Sequence, residues 1–245
     1  MSRITTRGII IRQNDYGEGH RMLSIFTAEY GIIKAVKYSA KSTKNRDSGA
    51  SQFLCYGDFD LYLSNREIST VNSITAIDTF FPVAEDIKKL SLCNYLADLT
   101  YAILGMNNAD ERLLKVFLNC VYALAYKNEA IEKVKLVYEL RLMSIGGYMP
   151  NLNACGCTSN EIYGFDVDKG CVVCGACRGS GTLPLTPNTY RAMQYIITCD
   201  DKKILSFNGN DKLYSELGKI SEKYALTQLD KEFKSLDYYK IMLEM

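Results

Sequence analysis

Five of the chain's nine cysteines fall within 23 positions: Cys155-Gly156-Cys157, then after thirteen residues Cys171-Val172-Val173-Cys174-Gly175-Ala176-Cys177. Thiols this close in sequence ligate a metal, cycle between thiol and disulfide, or knot a small secreted fold. Structural zinc asks for four soft ligands at tetrahedral corners, and two short-spaced pairs on adjacent turns supply them with little loss of chain entropy. Cys174-x-x-Cys177 has the spacing of a standard zinc knuckle, Cys155-x-Cys157 is one residue tighter, and Cys171 is a fifth candidate. Four thiolates on one Zn²⁺ leave a doubly negative centre, which Lys169 and Arg178 would partly offset. Iron, an iron–sulfur cluster or a thiol redox pair are the other chemistries open to such a cluster.

A catalytic zinc keeps one position open for water, usually beside histidine or carboxylate ligands and a general base. The only histidine, His20, lies far from the thiols in a Gly-Glu-Gly-His turn and reads as a surface residue. The chain also lacks a phosphate-binding Gly-Lys-Ser/Thr loop, a Gly-x-Ser-x-Gly elbow and a dinucleotide fingerprint. These absences make the expected metal a staple and the expected protein a non-enzyme. No stretch approaches the roughly 18 to 20 apolar residues of a membrane span, and no leader pattern opens the chain. A cytoplasmic location is expected, and in that reducing compartment clustered thiols favour metal over disulfide. Cys55, Cys93, Cys120 and Cys199 are scattered and read as small buried hydrophobes.

Charge is uneven. Between Arg3 and Arg46 nine basic residues face three acidic ones, although the whole chain carries only +1. That asymmetry suggests that one end meets a polyanion. The densest run is Lys34, Lys37, Lys41, Lys44 and Arg46, with Arg12 and Arg21 upstream.

The elements that must position these groups change character along the chain. From Arg7 to Phe80 apolar residues alternate with polar ones, as in Phe59, Leu61 and Leu63 between Asp58, Asp60 and Tyr62, and five short strands are expected. Five strands of this length fit a small OB-type barrel, whose closure removes exposed edges. OB barrels commonly hold single-stranded nucleic acid by phosphate pairing and base stacking, and Tyr16, Phe26, Tyr30, Tyr38 and Tyr62 are available to stack. Asp15-Tyr16-Gly17-Glu18-Gly19 reads as the first barrel loop.

After Pro82 the period becomes helical. Ile87, Leu90, Leu96, Leu99 and Ile103 share a face, as do Leu113, Phe117, Val121 and Leu124, and Ile131, Val134, Tyr138, Leu142 and Ile145. Gly146-Gly147 and Pro150 stop the third helix, and Thr186-Pro187 starts another after the cysteine segment. Leu213, Leu217, Ile220 and Tyr224 mark a further helix that closes the bundle. The cysteine segment carries little apolar pattern and is expected to depend on its metal for order. The expected class is therefore α+β with two domains: an OB-type nucleic-acid-binding barrel over 1–80 and an all-helical domain over 81–245, with the four-cysteine zinc-finger insertion at about 152–182.

This order of parts resembles the RecO family of recombination mediators, and local wording carries the resemblance. It lies in Gly8-Ile9-Ile10-Ile11-Arg12, Asp15-Tyr16-Gly17-Glu18, Arg21-Met22-Leu23-Ser24-Ile25-Phe26-Thr27 and Glu29-Tyr30-Gly31. It returns in Glu139-Leu140-Arg141-Leu142-Met143 and Gly146-Gly147-Tyr148-Met149-Pro150-Asn151-Leu152. The resemblance implies Cys155, Cys157, Cys174 and Cys177 as zinc ligands, with Cys171 the spare. It also implies binding to single- and double-stranded DNA, annealing of complementary strands, and action with RecR and single-strand-binding protein to load RecA in the RecFOR pathway of DNA damage repair. Contact with the tail of single-strand-binding protein would need an apolar pocket with a basic rim in the helical domain. Lys37, Lys41 and Lys44 changed together to alanine are expected to weaken DNA binding. The rival reading is another zinc-bearing OB-fold factor, in transcription or RNA processing.

Overall fold

The computed structural model describes residues 2–38, 49–64, 68–106, 108–153, 157 and 162–245. The first half is a five-stranded sheet of β1 (Ser2–Tyr16), β2 (His20–Thr27), β3 (Gly31–Lys37), β4 (Tyr56–Leu63) and β5 (Ser69–Asp78). It closes in the order β1-β2-β3-β5-β4, with β4 back against β1. The closing seam is slight: β3 and β5 run parallel and pair only at Ala35↔Ser69 and Val36↔Thr70, whereas every other ladder is antiparallel. The expected barrel is present, and its first strand extends well beyond the expected apolar run.

Two apolar layers organise the barrel. Ile10, Leu23, Ile25, Ala35, Phe59 and Leu61 point inward and form a closed core of their own. Ile9, Ile11, Phe26 and Ile32 point outward and join the large core of the helical part. The change of side comes from a bulge in β1: Ile10 opposes Ile25, but Arg12 opposes Ser24, so Ile11 is the extra residue. One added residue reverses which side chains face out. From Arg12 onward the even positions of β1 lie on the outer face, in rows with the even positions of β2 and β3.

The helical part comprises α1 (Phe81–Ala84), α2 (Ile87–Leu104), α3 (Glu111–Tyr126), α4 (Ile131–Ile145), α5 (Pro187–Thr198), α6 (Asp211–Leu229) and α7 (Lys234–Glu244). Capping follows the sequence: Asp86, Asp110, Thr186 and Asn210 accept from backbone N–H groups of their first turns. Helix α4 is central, and every residue from Lys133 to Ser144 is buried. Its charges survive because each is met. Glu139 accepts from Lys135 Nζ (2.8 Å), Tyr95 (2.8 Å) and Ser221 (2.6 Å), and Lys135 also reaches Glu222 at 2.8 Å. Arg141 donates to the Ile197 and Cys199 carbonyls and to Asp201, holding the end of α5 against α4. Barrel and bundle meet tightly at Gly31, where φ is +65° and a Cβ would sit 2.4 Å from the Asn108 carbonyl oxygen.

Three expectations change. Ile87 is 47 % exposed, since it begins α2 immediately after its Asp86 cap and lies beyond the packed length of the helix. Helix α7 was not anticipated; it packs on α2 through Leu236 and Tyr239. The cysteine segment buries more than its composition suggests. It forms a three-stranded sheet of β6 (Gly164–Asp166), β7 (Cys171–Val173) and β8 (Thr182–Pro184). Phe165, Val167 and Val172 are buried in the main core, with Phe165 edge-on to Tyr224 at 5.2 Å.

Candidate nucleic-acid interface and metal centre

The expected cations divide by strand parity. Arg12 turns to α2, where it donates to Asp98 (2.6 Å) and lies 3.9 Å from the Tyr101 ring centroid. Asp98 also accepts from Ser235 at 2.6 Å, so Arg12 sits in a junction between barrel, α2 and α7. Arg21 and Lys37 oppose one another in the β2–β3 ladder on the inward side. Arg21 donates to Ser51 Oγ and its carbonyl, and Lys37, only 5 % exposed, donates to the Asn72 carbonyl at 2.7 Å. These two side chains brace the barrel end. Lys34 is half-buried on the outward face of β3. Lys41, Lys44 and Arg46 lie outside the described residues.

Acids from beyond the N-terminal stretch answer part of its charge. Arg3 pairs with Asp60 at 2.6 Å and Arg7 with Asp58 at 2.8 Å, both across the β1–β4 ladder. The hydrogen bonds from Arg3, then from the Asn72 amide, hold Asp60 down to about 2. Counting charges along a contiguous window misses such partners, because the ladder brings them from some fifty residues away.

Among the suggested stacking residues, Phe26 is fully buried in the core shared with the helices. Tyr16, Tyr30, Tyr38 and Tyr62 are exposed. Tyr62 has the Arg3 guanidinium near its ring, at 5.9 Å. His20, read as an isolated loop residue, opens β2 and packs edge-on against Tyr38.

Three thiols converge in the cysteine segment. Cys157, Cys174 and Cys177 have their sulfurs within 4.8 Å of one another, with Cys174 buried and the other two half-buried. Cys155 lies outside the described residues. Cys171 sits on β7 opposite Asp166 and is not one of this trio. The donor set suits a soft metal in a closed site: sulfur ligands alone, gathered at the edge of a small sheet. The Cys157 and Cys174 sulfurs are 3.0 Å apart, and two thiolates on a tetrahedral Zn²⁺ would separate to roughly 3.8 Å given Zn–S bonds of about 2.3 Å. That adjustment is within the reach of side-chain rotation. Lys169 is bound to Asp166 at 3.2 Å, and its ammonium is favoured first by that hydrogen bond and more weakly by the Cys171 and Cys177 thiols. Arg178 lies over the Tyr163 ring at 5.5 Å instead of turning to the sulfurs. Of the scattered thiols, Cys55, Cys93 and Cys120 are buried, and burial pushes Cys55 up to about 11 and Cys120 up to about 12, as expected of inert packing residues; Cys199, also expected to be buried, is half-buried after α5.

A groove of 370 Å³ runs between β8 and α6, with Leu183, Pro184 and Ile220 on its walls, Lys212 and Lys219 on its rim, and Glu216 beside them. Among the described residues no helix is long and apolar enough to cross a membrane.

Comparison with known proteins covers both halves. Residues 1–80 match the family model described as recombination protein O N terminal, and residues 84–237 match recombination protein O C terminal. A DNA repair protein RecO of Acetivibrio thermocellus is 29 % identical over 247 residues, 99 % of this chain and 98 % of that protein. Those of Alkaliphilus metalliredigens (29 %, covering 97 % of this chain and 98 % of that protein) and Clostridium acetobutylicum (25 %, covering 100 % of each) align as completely. With the barrel at the matched N-terminal model and the helical part with its thiol cluster at the matched C-terminal one, the chain belongs to the RecO family of DNA repair and recombination proteins.

Proposed function

We propose that this protein is a non-catalytic recombination mediator of the bacterial cytoplasm. It binds single- and double-stranded DNA, anneals complementary strands and, with RecR, helps RecA displace single-strand-binding protein. Family membership across both halves of the chain carries the reading. Physically, annealing requires backbone binding that screens phosphate repulsion and leaves bases free to pair. An OB-type barrel whose basic run continues past β3 in sequence suits that task. Lys34, Lys41, Lys44 and Arg46 are the proposed phosphate contacts, while Arg12, Arg21 and Lys37 serve the frame. One structural Zn²⁺ would be held by Cys157, Cys174 and Cys177 with Cys155 as fourth ligand, joining the loop before β6 to the knuckle after β7. The groove between β8 and α6, with Leu183, Pro184 and Ile220 on its walls and Lys212 and Lys219 on its rim, is the proposed seat for the tail of single-strand-binding protein.

The test is annealing of complementary oligonucleotides coated with single-strand-binding protein, with and without RecR. Acceleration by this protein, and RecA loading only when RecR is added, is expected. A protein that binds no DNA at low salt, or that prefers RNA, would refute the reading.

A further inference from the structure

The bulge in β1 brings Tyr16 to the outer face, directly opposite His20 in the β1–β2 ladder. The β2–β3 ladder pairs Arg21 with Lys37, so the next step places His20 beside Tyr38. Their rings meet edge to face, with centroids 5.0 Å apart and planes at 74°. Tyr16, His20 and Tyr38 thus form one row across three strands that lie about 4.8 Å apart. Tyr16 is 44 % and Tyr38 52 % exposed. The hairpin beneath the row is fixed by Gly17 and Gly19, both at positive φ.

In an edge-to-face pair, the ring presenting its edge keeps both of its faces clear of the other ring. A sheet-borne row of this width accepts two or three successive unpaired bases, whose faces a duplex hides by its own stacking. Charge points the same way: Lys34 lies on the outward face of β3, whose last residue immediately precedes Tyr38, and Lys41 follows that tyrosine by three residues in sequence. We infer that Tyr16, His20 and Tyr38 form a stacking platform for unpaired nucleobases, by which this end of the barrel distinguishes single strands from duplex. The inference rests on the nucleic-acid reading above and adds to it the chemical feature recognised.

The test measures binding of a labelled single-stranded oligonucleotide and a hairpin duplex across a salt series, for the full chain and for Tyr16→Leu, Tyr38→Leu and Tyr38→Phe. Each leucine variant should lower single-strand affinity about ten-fold, leave duplex affinity and both salt slopes unchanged, and retain the native circular dichroism. Tyr38→Phe, which keeps the ring, should bind like the parent. Equal loss on both substrates, or no loss on either, would overturn the platform while leaving the nucleic-acid reading intact. Failure of the parent protein to bind either oligonucleotide would overturn both.

Discussion

Lys34 and Lys37 are three residues apart on one strand, so they face opposite ways, and the structure gives them different work. Lys37 lies at the barrel end, almost fully buried, with its ammonium donating to the Asn72 carbonyl at 2.7 Å. Truncation to alanine removes a charge-assisted hydrogen bond worth about 1.5–3 kcal/mol and leaves the space around the former side chain unfilled at the barrel end. Relief of the ammonium's burial offsets part of that, so a net loss of about 2 kcal/mol is expected. With a urea dependence of about 2 kcal/mol per molar, the barrel's denaturation midpoint should fall by about 1 M. Lys34, on the outer face, should do the reverse. Its alanine variant should keep the midpoint but lose one phosphate contact, lowering the single-strand salt slope by about 0.7 and affinity about five-fold at 0.1 M salt. Denaturation and anisotropy on the same preparations separate the two. A Lys37→Ala protein with an unchanged midpoint and a reduced salt slope would refute the assignment by parity. Replacing Lys37 together with Lys41 and Lys44 would mix a structural loss with a binding one.

Glu139→Gln should destabilise the helical part by about 3 kcal/mol, because Lys135 is left buried with Glu222 as its remaining carboxylate; adding Lys135→Met should recover part of the loss in urea titrations. No recovery would mean that the packing of α4, and not the stranded charge, sets the cost. Asp201 is raised by its partial burial but lowered further by Arg112 and Arg141, so its folded value lies below the ordinary 3.8. A depressed carboxylate contributes stability above its unfolded pKa that is lost as pH falls through the folded one. Unfolding midpoints should therefore drop below about pH 4, and Asp201→Asn should be less stable at pH 7 and less sensitive to acid. Cys174→Ser or chelation should release bound zinc and expose Phe165 and Val172 to hydrogen exchange, with the barrel unaffected. Metal content by mass spectrometry and exchange rates by segment check this; retention of one zinc in the variant would move the site.

The barrel was legible because period-two alternation survives in β4 and β5, where polar and apolar residues take opposite faces. Helix starts were equally legible, since a cap is a local event that Thr186-Pro187 announces by itself. The role of each cation was not. Residue type marks a positive charge, but only the bulge at Ile11 decides which side of the sheet each β1 side chain takes, and nothing in Ile9-Ile10-Ile11 marks the extra residue. The cysteine segment misled in the other direction. Its strands are three residues long, too short for periodicity to register, yet they carry Phe165 and Val172 into the core. His20 was discounted for its sequence neighbours, when its contacts come from β1 and β3.

The N-terminal charge excess then acquires a direction. Arg3 and Arg7 are matched by β4 carboxylates, and Arg12 by α2, so these sides of the barrel present little net field. Arg21 and Lys37 turn their charge into the barrel end, where it orders Ser51 and Asn72. The stretch from Lys41 to Arg46, which follows Tyr38 in sequence and lies outside the described residues, carries three cations and no acid. If that segment supplies the proposed phosphate contacts, on a barrel whose Arg3, Arg7 and Arg12 are already paired with carboxylates, it would favour gripping a nucleic acid at one end. The proposed annealing role would need such a grip: a few phosphate contacts break and reform readily, whereas a uniformly basic barrel would hold a strand along its length and resist pairing.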